Sequence, residues 1–267
     1  MSYGAKAAER LANKIILITG ASSGIGEATA REFAAAANGN LRLILTARRQ
    51  ERLAAVSASL IKSYPAIKIH SVQLDVSKAE TIQPFVDNLP SEFSDIDVLV
   101  NNAGKALGKD NIGNILESDI ADMFQTNVLG LINVTQAVLP IFKKKNYGDI
   151  INLGSIAGRD PYPGGGIYCA TKASVKSFSH VLRKELINTK IRVLEVDPGA
   201  VETEFSEVRF KGDKDLAKAT YTGMEPLIAE DIAEIIVFGV TRRQNTVIAE
   251  TLVFPSAQAS ATHVYKG

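Results

Sequence analysis

The chain has no tryptophan, one cysteine and three histidines among 267 residues. The single cysteine, Cys169, excludes an intrachain disulfide framework and makes a reducing compartment the simplest expectation. His70, His180 and His263 are scattered without metal-ligand spacing, so no histidine-based metal site is expected. An excess of one charge sign is also missing, with 30 Lys+Arg against 29 Asp+Glu and a net charge of +1. That balance offers no electrostatic reason to expect nucleic acid or an anionic membrane as a partner. The densest basic cluster, Lys143-Lys144-Lys145, reads as the solvated end of a helix, where cations suit the dipole. No run approaches the roughly 18 apolar residues of a membrane span. Residues 1–13 carry Lys6 and Arg10 but no apolar stretch, so no secretory signal is read there. The expected location is the cytoplasm.

What is present is the pattern of one α/β domain. The length suffices for a large core, and no low-complexity linker divides the chain, so residues 1–267 are read as a single domain. Short apolar runs such as Ile15-Ile16-Leu17-Ile18 alternate with helical patterns. Strands are expected at 15–18, 41–46, 67–74, 97–100, 149–153, 191–196 and 247–254. Helices are expected at 26–37, 50–64, within 117–145, at 167–187 and at 228–240. Asn38-Gly39 and Pro65 supply helix stops, and Ser77 to Glu80 has capping-box spacing. Continuous apolar strands joined by helices imply a doubly wound parallel sheet, with helices on both faces and ligands beyond the carboxyl ends of the strands.

The informative motifs fall at those ends. Thr19-Gly20-Ala21-Ser22-Ser23-Gly24-Ile25-Gly26 joins the first strand to the first helix. Glycines there allow a tight turn and close approach of backbone to a pyrophosphate at a helix N-terminus. The spacing is neither G-x-G-x-x-G nor that of a P-loop. A merely structural turn stays open on this motif alone. Tyr168 and Lys172 lie four apart on a helix and share a face. A free tyrosine ionises near pH 10, too high for a good base, and a neighbouring ammonium favours the phenolate. Ser155 follows a strand, where its hydroxyl can stabilise charge on a substrate oxygen. Asn127 sits in a helical stretch, where asparagine is locally unfavourable.

On these residues the chain resembles the short-chain dehydrogenases/reductases from about Lys14 to Phe254. The loop fits that family's T-G-x-x-x-G-x-G, and Asn101-Asn102-Ala103-Gly104 its N-N-A-G. Tyr168 to Lys172 fits Y-x-x-x-K, with Ser155 upstream, Asn127 at the family's asparagine and Pro198-Gly199 at its P-G. The resemblance implies a Rossmann-like sheet of about seven strands. It implies Asn127, Ser155, Tyr168 and Lys172 as catalytic residues, with Asn127 linking Lys172 to solvent through a water. By the same resemblance the nicotinamide cofactor meets Gly20, Ser22, Ser23, Gly24, Ile25, Gly26, Asn102, Ala103 and Gly104. Asp75 and Val76 are expected at the adenine. Pro198, Gly199, Val201 and Thr203 are expected near the nicotinamide, and Lys172 at its ribose. The reaction implied is reversible hydride transfer to or from a carbon bearing an alcohol or ketone.

Cofactor choice is read from Thr46-Ala47-Arg48-Arg49. An acid in this region would favour NAD, but Ala47 stands in its place. Arg48 and Arg49 suit the 2′-phosphate of NADP. The polar stretch 202–224 is read as a lid over the substrate. The run from Val201 to Ser206, the Arg209 block and Gly154 to Gly158 resemble the NADP-dependent 3-hydroxy acid dehydrogenases of serine or allo-threonine type. Arg209 is a candidate for a substrate carboxylate, and Arg159 a weaker one. A broad carbonyl reductase, a fatty-acyl or steroid-type reductase, and a catalytically silent NADP-binding scaffold stay open. Family members pair the helices at 117–145 and 167–187 across two-fold axes, which implies a homotetramer, with the apolar run Val134 to Phe142 as the buried face. Cys169, turned roughly 100° from Tyr168 on the helix, reads as packing.

Overall fold

A computed structural model describes the backbone of residues 3–267 and the side chains from Lys6 onward. The chain opens with α1 (Tyr3–Leu11), β1 (Ile15–Thr19), α2 (Gly24–Ala36), β2 (Arg42–Ala47), α3 (Gln50–Ser63), β3 (Lys68–Gln73) and α4 (Ala79–Asp87). There follow β4 (Val98–Asn101), α5 (Glu117–Phe124), a π-helical turn (Gln125–Gly130), α6 (Leu131–Lys145) and β5 (Gly148–Leu153). A 3-10 turn (Ile156–Gly158) leads to α7 (Gly166–Glu185) and β6 (Ile191–Pro198). The chain then forms α8 (Glu204–Arg209), α9 (Lys214–Ala219), α10 (Ala229–Val240) and β7 (Glu250–Val253). All seven strands are parallel, in the order β3-β2-β1-β4-β5-β6-β7.

Because side chains alternate along a strand, each central strand feeds two cores. Ile16 and Ile18 of β1 pack with Phe33 of α2, Leu53 of α3 and Ile232 and Ile236 of α10. Ile15 and Leu17 face the opposite way, toward Ile82 of α4, Val134, Val138 and Phe142 of α6 and Leu182 of α7. The expected doubly wound sheet is therefore the observed one. Chain direction across the sheet reverses between β1 and β4, which opens a crevice at their carboxyl ends.

Several local expectations need correction. The terminal helix α1 was not anticipated; among its residues with described side chains, from Lys6 onward, Ala7 and Leu11 are the buried ones. The Ser77 to Glu80 capping box does not form. Lys78 occupies the cap position of α4, and Ser77 instead donates both its N–H and its hydroxyl to Asp75 Oδ1. The apolar run offered as a subunit interface is spent inside the subunit, since Val134, Ala137, Val138 and Phe142 are buried in the second core. Asn38 and Gly39, by contrast, end α2 with φ of 48° and 74°, as a helix stop requires. Among the described residues no helix is long and apolar enough to cross a membrane.

Candidate active site

The turn between β1 and α2 is shaped by contacts that exclude side chains. Gly20 and Gly24 have φ of 68° and 54°. A Cβ on Gly26 would lie 2.4 Å from the Gly20 carbonyl oxygen and 2.5 Å from Asn102 Nδ2. The segment after β4 is thus locked against the turn. Asn102 Nδ2 donates to the Thr19 carbonyl at 2.8 Å, and Thr19 Oγ1 accepts the N–H groups of Asn102 and Ala103, each at 3.1 Å. The result is one wall of a cleft of ≈ 550 Å³. Gly20, Ser22, Ser23, Gly24, Ile25, Asn102, Ala103 and Gly104 line it, whereas Gly26 sits behind the wall as a packing residue.

One end of the cleft is cationic. Arg48 and Arg49 follow β2 and line it with Asp75 and Val76. Arg49 Nη2 donates to Ser23 Oγ at 2.6 Å and Ser22 Oγ at 3.2 Å, and its Nη1 pairs with Glu204 of α8 at 2.9 Å. Arg52 of α3, which the sequence reading passed over, pairs with the other Glu204 oxygen. The Arg52 hydrogen bond first, then Arg49, hold the Glu204 carboxyl down at about 2. One oxygen of Asp75, Oδ1, accepts twice from Ser77. Burial opposes its ionisation, but the Ser77 bonds and the charges of Arg48 and Lys105 outweigh it and leave the carboxyl below its ordinary value.

The other end gathers Ser155, Tyr168 and Lys172. Ser155 stands where β5 leaves the sheet, with its hydroxyl accepting from Ala157 N–H at 3.1 Å and bonded to the Tyr168 phenol. Tyr168 and Lys172 rise from one face of α7, with the Lys172 ammonium 5.9 Å from the Tyr168 ring centre. Lys172 Nζ donates to the Leu153 carbonyl at 2.7 Å. Burial lowers the lysine to about 8, against the opposing fields of Asp197 and Glu195. The expectation of a lowered phenol is not met in the chain alone. Burial pushes Tyr168 well above the ordinary tyrosine value, although Ser155 and Arg209 pull the other way. The ring also faces the open cleft, so water screens part of that push.

Asn127 lies in the π-helical turn and is buried at 1% exposure, so it does not reach the cleft surface. Its Oδ1 accepts the Lys105 N–H at 2.8 Å, and its Nδ2 donates to the Lys105 carbonyl and to Thr171 Oγ1. Gly104 brings it beside the lysine, since a Cβ there would lie 3.4 Å from Asn127 Oδ1 and 3.8 Å from Lys172 Nζ. Cys169 is buried, on the side of α7 away from the cleft.

The segment 202–224 covers the cleft with α8 and α9. Phe205 meets the Tyr168 ring edge-on at 5.6 Å between centres. Arg209 lines the cleft and ties three pieces of it together, donating to the Gly108 and Gly164 carbonyls and to the Tyr162 hydroxyl. Lys109, also on the cleft wall, has its pKa lowered by burial and by the nearby charges of Arg209 and Lys266. Pro198, Gly199, Val201 and Thr203 all face the cleft. Arg159 does not; it is held by Asp197 and Glu250, which withdraws it as a substrate ligand. Tyr162, Lys109 and Phe205 were missed by sequence reading because each sits in a loop or lid with no repeating pattern.

A dinucleotide fits what is present: glycines whose missing Cβ atoms leave backbone exposed, a helix N-terminus at Gly24, and an arginine fork at one end. Comparison with known proteins agrees. A family model described as short chain dehydrogenase matches residues 14–214. The NADP-dependent 3-hydroxy acid dehydrogenase of Schizosaccharomyces pombe is 54% identical over 257 residues, covering 96% of this chain and 98% of that protein. Sulfoacetaldehyde reductase 2 of Chromohalobacter salexigens is 43% identical over 246 residues, covering 92% and 95%. The solved closed form of serine dehydrogenase complexed with NADP+ superposes with a TM-score of 0.87 at 40% identity, covering 94% of this chain and 99% of that one. The matched stretch begins just before β1, passes through the glycine turn, Ser155 and the Tyr168–Lys172 pair, and ends at the start of α9, so the chain belongs to the short-chain dehydrogenase family.

Proposed function

We propose that this single-domain chain is an NADP(H)-dependent oxidoreductase of 3-hydroxy acids, and that residues 202–224 are its substrate lid. The observation that carries the reading is the convergence of Ser155, Tyr168 and Lys172 at one end of a cleft whose other end carries Arg48 and Arg49. The glycine turn, Asp75, Val76 and Asn102 to Gly104 would hold the dinucleotide, with the arginines toward the 2′-phosphate and Val201 and Thr203 toward the nicotinamide. NADP(H) supplies the hydride, which the protein's own side chains cannot.

The chain's part is proton management and charge stabilisation. Tyr168, held neutral by burial, donates its phenolic proton to a carbonyl oxygen in the reduction direction. Ser155 bonds the same oxygen as charge gathers there. Lys172, near 8, offsets the phenolate that remains, and Asn127 fixes the Lys105 backbone beside it, where a water could pass the proton to solvent. Arg209 and Lys109 place cationic charge above the reacting end, which suits an acid group on the substrate. The two named relatives point the same way, one acting on hydroxy acids and the other on a sulfonated aldehyde. Three of the five guanidinium N–H groups of Arg209 are in use, so two stay available to a carboxylate.

The full assembly is read as a homotetramer in the cytoplasm. Since the core of α6 is spent internally, exposed Leu116 and Leu129 of the α5–α6 region and Val181 of α7 are the surface that pairing would cover. The deciding experiment is Tyr168→Phe. It keeps the ring and removes the exchangeable proton, so kcat should fall by about 10² or more, with NADPH binding unchanged by fluorescence titration. Near-normal turnover of serine, allo-threonine and 3-hydroxyisobutyrate by that variant would refute the mechanism.

A further inference from the structure

The rung-by-rung bonding between β5 and β6 ends at Gly154, whose N–H reaches the Val196 carbonyl at 2.8 Å. The next donor, the Ser155 N–H, has left the ladder and is buried, so it needs an acceptor from elsewhere. The side chain of Asp197 provides it, with Oδ1 accepting the Ser155 N–H at 3.0 Å. The other oxygen, Oδ2, accepts from Arg159 Nε at 2.6 Å. Arg159 is in turn bonded to Glu250 of β7, and Glu250 meets His180 and Arg183 of α7. Gly154 leaves room for this, because a Cβ there would lie 1.8 Å from Asp197 Oδ1.

A second carboxyl group sits in the same place. Glu195, two residues earlier on β6 and so on the same face, is 0% exposed. Neither of its oxygens meets an N–H or hydroxyl donor, and the group beside it is the Asp197 carboxyl. Two carboxylates side by side hold no donor between them. A proton on Glu195 supplies one, and the acid then donates to Asp197. Burial and the neighbouring Asp197 and Glu250 charges raise the Glu195 pKa, with Arg159 opposing, in keeping with a neutral acid. From α7, Lys172 adds its charge to the same cluster and clamps the Leu153 carbonyl. Residues 153 and 155 are thus gripped on either side of Gly154.

We propose that Asp197 is a positioning residue for the reaction: it accepts the Ser155 backbone N–H, is itself held by Arg159 and the buried Glu195 beside it, and so sets where the Ser155 hydroxyl meets the substrate oxygen. This rests on the reading of Ser155 given above. The device lies outside the cleft and touches neither cofactor nor substrate, so it acts on kcat rather than on cofactor binding.

The test compares Asp197→Ala, Asp197→Asn and Ser155→Ala in the full-length protein, assayed with 3-hydroxyisobutyrate and NADP+. Asparagine keeps an oxygen for the Ser155 N–H but loses the charge, whereas alanine loses both. Loss of a buried acceptor predicts a fall in kcat of about tenfold or more for Asp197→Ala. Asp197→Asn should lose only about threefold, and the NADPH Kd of both should stay within about twofold of the parent. A purely structural ion pair with Arg159 would make the two variants equal, and that result overturns the proposal. So does an Asp197→Ala protein within twofold of the parent kcat while Ser155→Ala is crippled. Full activity of Ser155→Ala instead overturns the reading of the site itself, and this proposal with it. If Asp197→Ala does not fold, Arg159→Met against Arg159→Lys decides: a kcat loss of about threefold in Met, restored by Lys, supports the proposal, and equal values overturn it.

Discussion

The floor of the cleft and the segment 202–224, proposed as its lid, are built on different principles. The floor joins β1, β4, β5 and β6 through contacts that tolerate no added atom, as at Gly20, Gly26 and Gly154. Its polar groups are buried and bonded to backbone, as Asn127 is to Lys105 and Lys172 to Leu153. The lid is fastened at its edges by exposed or partly exposed charges. Glu204 reaches Arg49 and Arg52, Arg209 reaches two loop carbonyls, and Lys211 pairs with Asp119 at 2.9 Å. Rigid geometry suits chemistry that is the same for every substrate, and adjustable charge suits a cover that must admit and release one.

The largest expected effect breaks the floor. In Gly26→Ala the new Cβ meets the Gly20 carbonyl, a backbone atom, and Asn102 Nδ2, a side-chain end pinned by its bonds to the Thr19 and Gly20 carbonyls. The turn must open, and NADPH affinity should weaken by about 10² or more, the scale of a misplaced phosphate cradle with its charge-assisted bonds lost. Circular dichroism should show an intact sheet, and titration the lost affinity. An unchanged Kd would show the turn to be yielding and the contrast with the lid unfounded.

Next comes the lid's own cation. Arg209→Ala should lower kcat/KM for 3-hydroxy acids by about tenfold to 10², and for uncharged ketones by no more than about threefold. An equal fall for both classes would mean that Arg209 serves to tie Gly108, Gly164 and Tyr162 together, and that substrate charge is read elsewhere.

These two residues also mark what the sequence makes legible. Gly26 belongs to a motif whose spacing follows from backbone geometry, so its position in the turn could be read in advance, but not that it packs behind the cleft wall instead of lining it; Ser155, Tyr168 and Lys172 do line the cleft, as expected. The strands were legible for a similar reason, being continuous apolar runs. Arg209 could be singled out, but not its three local bonds, because they depend on loops at 108 and 162–164 that carry no periodic signal. The failed capping box at Ser77 shows the limit of local rules: a rival acceptor two residues back, Asp75, took the hydroxyl. Asp197 and Glu195 were hidden within an ordinary-looking strand, since nothing in Ile191–Pro198 reveals that both carboxyls face inward.

A third test asks whether the floor stores a pH-dependent cost that the lid lacks. Glu195 is raised to about 8 by burial, whereas in the unfolded chain it titrates near 4.5. Between those values the folded state holds a proton that the unfolded state has released, so the group's contribution to stability falls as pH rises. Glu195→Gln keeps a donor toward Asp197 and has no proton to lose. The gap between variant and parent should therefore move in the variant's favour from pH 5 to pH 8, by roughly 2–4 °C in Tm for each kcal/mol involved. A gap constant across that range would mean that Glu195 is ionised in the fold.

The smallest effect sharpens the lid side. Glu204 pairs with Arg49, one of the two arginines expected at the 2′-phosphate, and with Arg52 of α3 behind it, so the carboxylate occupies an N–H group that a phosphate would use. It is held near 2, so it is charged at every working pH, and its competition should not vary between pH 5 and 8. Because the three side chains are well exposed, water and salt weaken the contest. Glu204→Gln should then tighten NADPH by only about two- to fivefold, with less change for NADH, and the gain should shrink as ionic strength rises. Titration by NADPH fluorescence at low and high salt measures all three trends. Weaker NADPH binding in the variant would give the carboxylate the opposite role, that of holding the arginine fork ready for the phosphate. The lid's charges would then belong to the preformed site, and the line between floor and lid would have to be drawn beyond Glu204.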